Sequence, residues 1–159
     1  MPLSVGQAAP HFSLYDSSKT ITSLADFAGK KNVLLLFFPQ SFTGVCTKEL
    51  CGVRDDIARY DRADTAVLGI SVDSIFTLAA FKEDQSISFP LLSDFNKETS
   101  AAYDCLYASF TDMNMKGVSQ RSAFVIDKQG IIQYAEVLDN AGQVPNFDAI
   151  HAVLDQLAG

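Results

Sequence analysis

The stretch Phe38-Pro39-Gln40-Ser41-Phe42-Thr43-Gly44-Val45-Cys46-Thr47-Lys48-Glu49-Leu50-Cys51 holds the groups best suited to chemistry. The thiolate is the reactive form of cysteine, and it forms where the surroundings are electropositive. An apolar run ends at Pro39, and Leu50, Val53 and Ile57 recur at helical spacing after Thr43. Cys46 therefore falls in the first turn of a helix. Unpaired N–H groups and the positive end of the helix dipole favour a thiolate there. Loops beyond the carboxyl ends of strands are also where open α/β sheets place their sites. A free cysteine is equally at home as a small buried apolar residue, so position alone leaves both uses open.

The remaining chemistry-bearing residues narrow the choices. The cysteines are three, Cys46, Cys51 and Cys105, and cannot all pair within one chain. In a reducing compartment so sparse a set points to catalytic, redox or buried free thiols rather than a disulfide framework. Cys-x4-Cys stands without a second ligand pair, so no metal is expected from these cysteines with His11 and His151. His151 flanks the apolar stripe of the last helix and is expected at a core margin. Phosphate-loop and dinucleotide glycine motifs are absent, so no cofactor is expected.

These residues need elements to position them. Val33 to Phe38 is a continuous apolar run, as in a strand buried on both faces, and Ala66 to Val72 and Ser122 to Ile126 read the same way. Asp127-Lys128-Gln129-Gly130 is a turn, and Ile131 to Ala135 follows as the second arm of a hairpin. Asp73-Ser74 caps a helix carrying Ile75, Leu78 and Phe81, and Asn146 caps one carrying Phe147, Ile150, Val153, Leu154 and Leu157. A short helix is expected near Glu98 to Tyr103, within a less regular stretch from Asp94 to Gln120. The order predicts an α/β fold, with parallel pairing early and an antiparallel edge late. A central mixed sheet flanked by helices in this order resembles the thioredoxin-like fold. No linker or repeat divides the chain, so residues 1–159 are read as a single domain.

Composition excludes several partners. Of 159 residues, 48% are hydrophobic and 19% charged, which suits a packed core. With 12 Lys+Arg against 19 Asp+Glu the formal charge is -7. Nucleic acid and anionic lipid both need clustered cations, so neither is an expected partner. The longest apolar run is too short to span a bilayer. The segment MPLSVGQAAPHF has no basic start followed by a long apolar stretch, so a cytoplasmic location is the default expectation.

The pattern Pro39-x-x-x-Thr43-x-x-Cys46 resembles the active-site signature of the peroxiredoxins. Further matches are Ala9-Pro10-His11-Phe12, resembling their N-terminal "APxF" strand, Ser71-Val72-Asp73-Ser74 with Ala80-Phe81, Phe89-Pro90-Leu91-Leu92-Ser93-Asp94, and Arg121-Ser122-Ala123-Phe124-Val125-Ile126-Asp127. Cys46-x4-Cys51-Gly52-Val53-Arg54-Asp55 is most similar to the bacterioferritin-comigratory, or Q-type, group. Phe42-Thr43-Gly44-Val45-Cys46 is also similar to the one-cysteine E-type group.

The resemblance implies a thiol-dependent peroxidase with Cys46 as the peroxidatic thiolate. Thr43 would offer its hydroxyl to the thiolate or the peroxide, alongside the backbone N–H groups of Val45 and Cys46. Arg121 would supply a fixed charge and a fork of donors. Pro39, lacking an N–H, would shield the site from water. Glu49 would orient an arginine, or else sit solvated at the helix start, where the dipole suits it equally. The product at Cys46 would be a sulfenic acid.

Cys51 would be an intrahelical resolving cysteine, or a helix cysteine without a redox role. On an intact helix residues i and i+5 are about 140° apart with roughly 7.5 Å of rise, so their Cα atoms lie about 8–9 Å apart. A disulfide needs less than about 7 Å, so the first turns must unwind. Gly52 eases this, at about 1 kcal/mol relative to Ala. Cys105 is expected as a buried structural thiol. No cysteine follows it, so the intersubunit disulfide of the two-cysteine type is not expected.

The resemblance implies hydrogen peroxide and organic hydroperoxides as substrates, thioredoxin or a small thiol as reductant, and a monomer or homodimer. The competing readings are a one-cysteine peroxidase resolved by an external thiol, a peroxide sensor relaying oxidation to a partner, and a disulfide reductase, which the missing Cys-x-x-Cys disfavours.

Overall fold

A computed structural model of the chain describes residues 3–158. Two short strands, β1 (Ser13–Tyr15) and β2 (Ile21–Ser23), pair antiparallel near its start. A second sheet contains β3 (Asn32–Phe37), β4 (Thr65–Ser71), β5 (Leu91–Ser93), β6 (Ser122–Ile126) and β7 (Ile132–Val137). Its spatial order is β5-β4-β3-β6-β7. β3 pairs parallel with β4, and β4 with β5. β6 pairs antiparallel with β3 and with β7. The helices are α1 (Gly44–Asp55), α2 (Ile57–Arg62), α3 (Ile75–Asp84), α4 (Glu98–Ala102) and α5 (Phe147–Ala158). This is a thioredoxin-like fold, as the order of elements predicts.

The continuous apolar runs follow from burial on both faces. Leu34, Leu36 and Phe38 pack with Cys46 and Leu50 of α1, Leu78 and Phe81 of α3, and Ile150 and Leu154 of α5. Their neighbours Val33, Leu35 and Phe37 enter a second core with Phe12, Tyr103, Cys105 and Phe124. Successive side chains of a strand point to opposite faces, so a strand between two cores is apolar throughout.

The caps and the late hairpin also form as expected. Thr77 N–H donates to the Ser74 hydroxyl at 3.2 Å, and Ala149 N–H to Asn146 Oδ1 at 3.1 Å. In the β6–β7 turn, Asp127 Oδ1 accepts from the N–H groups of Gln129 and Ile131. Gly130 there has φ 81°, a region glycine enters without a Cβ clash.

Two expectations need correction. The helix carrying Leu50, Val53 and Ile57 is not continuous. Asp56 leaves helical geometry at φ -113° and ψ 19°, its N–H bonds back to Val53 O at 3.1 Å, and α2 starts at Ile57. Ile57 still packs on the same core, which is why the spacing read as one helix. Ala9–Phe12 is not a strand. A single bridge joins Ala8 to Ile131, and Pro10 has no N–H for a ladder. The segment is held instead by buried Phe12 and by Tyr103, whose hydroxyl donates to Pro10 O at 2.7 Å.

Candidate active site

The site lies where β3 passes into α1. Phe38 N–H still donates to Ile70 O at 2.9 Å, and buried Pro39 then ends the pairing. The following loop is anchored from β4. Ser41 donates both its N–H and its hydroxyl to Asp73 Oδ2, each at 2.8 Å, and Ser71 donates its hydroxyl to the same oxygen at 2.6 Å. Phe42 takes φ 65°, in the left-handed region, and its ring meets Phe81 edge-on with centroids 5.2 Å apart.

Thr43 is the N-cap residue of α1. Its hydroxyl donates to Gln40 O at 2.9 Å, because the tight turn brings that carbonyl within reach. Thr47 N–H bonds back to Thr43 O at 2.9 Å. The N–H groups of Gly44, Val45 and Cys46 have no acceptor among the described residues. They are the orphan donors every helix start presents.

Cys46 is fully buried one turn into α1. Arg121 immediately precedes β6 and lies on the same side as Ala123 and Val125, which share the Cys46 core. Its guanidinium is held from three directions. Nη2 donates to Cys46 Sγ at 3.1 Å, Nη1 to Glu49 Oε1 at 2.7 Å, and Nε to Ala141 O at 3.1 Å. Burial disfavours the Arg121 cation, but the facing sulfur and carboxylate outweigh it and raise its pKa.

Glu49 is buried against this cation, and its second oxygen has no partner among the described residues. Burial pushes the Glu49 carboxyl up to about 7, against the pull of Arg121. A desolvated acid resists charging unless it is fully compensated. The structure thus decides between the two expectations for Glu49: it orients the arginine and is not solvated.

Arg121 also borders an open cleft of about 570 Å³, lined by Thr43, Val45, Tyr107, Phe110 and Asn140. The Tyr107 and Phe110 rings stack there with centroids 5.6 Å apart. Glu49 also lines a second cavity of about 270 Å³, together with Val53, Tyr60, Phe147 and His151.

Thr43, Cys46 and Arg121 are therefore brought together. Cys51 is not. Both thiols are free, and α1 is intact across them. The half-buried Cys51 Sγ donates to Gln85 Oε1 at 3.4 Å, and Arg54 Nη1 donates to the Gln85 carbonyl. Cys105 sits in the second core, where burial pushes its thiol up to about 12. Sequence reasoning places Asp73 in a cap pair and in the Ser71-Val72-Asp73-Ser74 match, and misses its anchoring contacts. Ser41 and Ser71 supply the donors to it, but only the fold aligns them. Among the described residues no cluster of His, Cys, Asp or Glu could hold a metal, and no helix is long and apolar enough to cross a membrane.

A buried thiol at a helix start that meets a guanidinium is suited to thiol redox chemistry. A sequence profile of the AhpC/TSA family matches residues 5–135. Alkyl hydroperoxide reductase E of Mycobacterium tuberculosis is 39% identical over 135 residues, covering 85% of this chain and 86% of that protein. The crystal structure of peroxidoxin BcpB from Mycobacterium tuberculosis superposes with TM-score 0.86 at 25% identity, covering 98% of each chain. Peroxiredoxin Q of Xanthomonas campestris gives TM-score 0.80 at 28% identity, covering 93% of this chain and 92% of that one. The chain belongs to the AhpC/TSA family, the peroxiredoxins, and is a thiol peroxidase.

Proposed function

We propose that Cys46 is the peroxidatic cysteine of a single-domain enzyme that reduces hydrogen peroxide and organic hydroperoxides in the cytoplasm. The observation that carries this reading is the Arg121 fork, which ties Cys46 Sγ to Glu49 beside an open cleft. The Cys46 thiolate attacks one peroxide oxygen. An S–O bond forms, the O–O bond breaks, sulfur loses two electrons, and the other oxygen leaves with the electron pair and takes a proton. Negative charge grows on that leaving oxygen, and donors fixed in advance stabilise it. Arg121 and the orphan N–H groups of Val45 and Cys46 supply these donors. Thr43, whose proton is committed to Gln40, uses its oxygen to accept the peroxide O–H. Pro39 keeps a competing N–H and its water away.

The Cys46 sulfenic acid is then attacked by Cys51. A disulfide forms and water leaves, and thioredoxin or another thiol reduces the bond. This step requires α1 to open and Cys51 to leave Gln85. A one-cysteine cycle, with an external thiol attacking the sulfenic acid, is the second reading. The intact α1 and the Cys51–Gln85 contact favour it.

Intact mass after one equivalent of peroxide separates them. Loss of two hydrogens, with Cys46 and Cys51 linked on peptide mapping, supports resolution by Cys51. Gain of one oxygen at Cys46 supports the one-cysteine cycle. An unchanged mass contradicts both.

A further inference from the structure

We propose that Cys46 and Glu49 compete for the single positive charge of Arg121 and share one proton, so that Glu49 is the acid whenever Cys46 is the thiolate. The inference deepens the reading of Cys46 as the peroxidatic thiol and rests on it. It makes Glu49 a positioning residue that acts through Arg121 and also stores a proton.

The first argument is charge balance. The fork of Arg121 is shared, with Nη1 on Glu49 at 2.7 Å and Nη2 on Cys46 at 3.1 Å. All three side chains are buried. One buried cation compensates one anion, and a second uncompensated charge in a dry site is strongly disfavoured. Thiolate with carboxylic acid, or thiol with carboxylate, are the balanced forms.

The second argument is the orphan oxygen. Glu49 Oε2 is buried with no donor among the described residues. A carboxylate would place negative charge on an oxygen that no donor meets, which costs more than burying the neutral acid there.

The surroundings add no second cation in the interior. The groups around Glu49 are Arg121 just before β6, Tyr60 from α2, His151 from α5, and Cys46, Lys48 and Asp56 in or beside α1. Burial raises the Tyr60 pKa and lowers that of His151, so both favour their neutral forms. Lys48 is exposed. The cavity that Glu49 shares with Tyr60 and His151 has no lining residue in common with the cleft that Arg121 borders.

The proton balance closes. Before attack Cys46 is a thiolate and Glu49 an acid. After attack Cys46 is a neutral sulfenic acid, so Glu49 ionises and takes over as the partner of Arg121. Glu49 releases one proton to water, and the leaving alkoxide or hydroxide takes up one proton from water. Arg121 faces one negative charge at both ends of the step.

Infrared difference spectroscopy of the full chain, just below neutral pH, tests this through the carbonyl stretch of a buried carboxylic acid. The reduced protein shows the band, and Glu49→Gln removes it. Cys46→Ser also lacks it without any peroxide, because Glu49 then has Arg121 to itself and ionises. One equivalent of hydrogen peroxide bleaches the band in the wild type. A reduced wild type without the band overturns the shared proton, and so does a band that survives in Cys46→Ser. A band that is lost in Cys46→Ser but persists through oxidation of the wild type retains the shared proton and removes Cys46 as the peroxidatic thiol.

Discussion

On the proposed reading, the contacts of Arg121 are what would make the buried Cys46 a reactive thiol. Arg121→Met keeps much of the stem volume but removes the fork from Cys46 and Glu49. Peroxide attack should slow on the order of a hundredfold, the scale of losing an oxyanion donor. Alkylation of Cys46 by iodoacetamide should slow with it, and an unchanged pair of rates would make Arg121 structural only. Glu49 carries a stability prediction whose sign follows from its raised pKa. Between the ordinary value of 4.5 and about 7 the folded state holds a proton that the unfolded state has lost. The contribution of Glu49 itself therefore falls as pH rises through that window, by about 3 kcal/mol at most, and a Cys46 thiolate formed on folding works in the opposite direction. Glu49→Gln cannot ionise, so its stability relative to the wild type should rise across the same window. Urea denaturation at either end of the window measures this, and a pH-independent difference would refute it.

At the scale of elements, the site depends on the loop between β3 and α1 more than on α1 itself. Asp73 receives three donors from Ser41 and Ser71 on one oxygen and so sets where Thr43 begins the helix. Asp73→Ala should cost about 1–3 kcal/mol, because buried donors lose their acceptor. Peroxide attack should fall by roughly tenfold to a hundredfold from displacement alone. Denaturant unfolding and stopped-flow rates check the two effects, and a destabilised variant with the wild-type rate would show that the anchor does not position the site. This anchor also marks the limit of what the sequence discloses. β3, β4, β6, α1 and α3 were legible because their apolar periodicity and caps are local. The Pro39, Thr43, Cys46 and Arg121 set is proposed from its resemblance to the peroxiredoxin motifs, and the structure adds the Arg121–Cys46 contact. The three-residue strands β1, β2 and β5 are too short to show a period. The break at Asp56, the Thr43–Gln40 bond and the Asp73 anchor arise only when distant segments meet. Spacing likewise put Cys51 on the Cys46 helix, yet only the fold shows it tied to Gln85.

At the scale of the molecule, the sheet separates two thiol environments. Cys46 belongs to the core beneath α1, α3 and α5, and Cys105 to the core on the other face. Burial holds Cys105 as a neutral thiol in that second core. Iodoacetamide should therefore label Cys105 only after denaturation, as peptide mapping would show, and labelling in the native state would place it in an open site. The net charge of -7 gives anionic molecules no long-range attraction, and the neutral peroxides proposed as substrates need none. The central claim is that Cys46 alone performs the attack on peroxide. Stopped-flow measurement of peroxide consumption by the wild type and Cys46→Ser, with folding checked by circular dichroism, tests it most directly. The wild type should react orders of magnitude faster than free cysteine, and the folded Cys46→Ser protein should not consume peroxide above the rate of its remaining thiols. A folded Cys46→Ser protein that reacts at the wild-type rate would contradict the assignment.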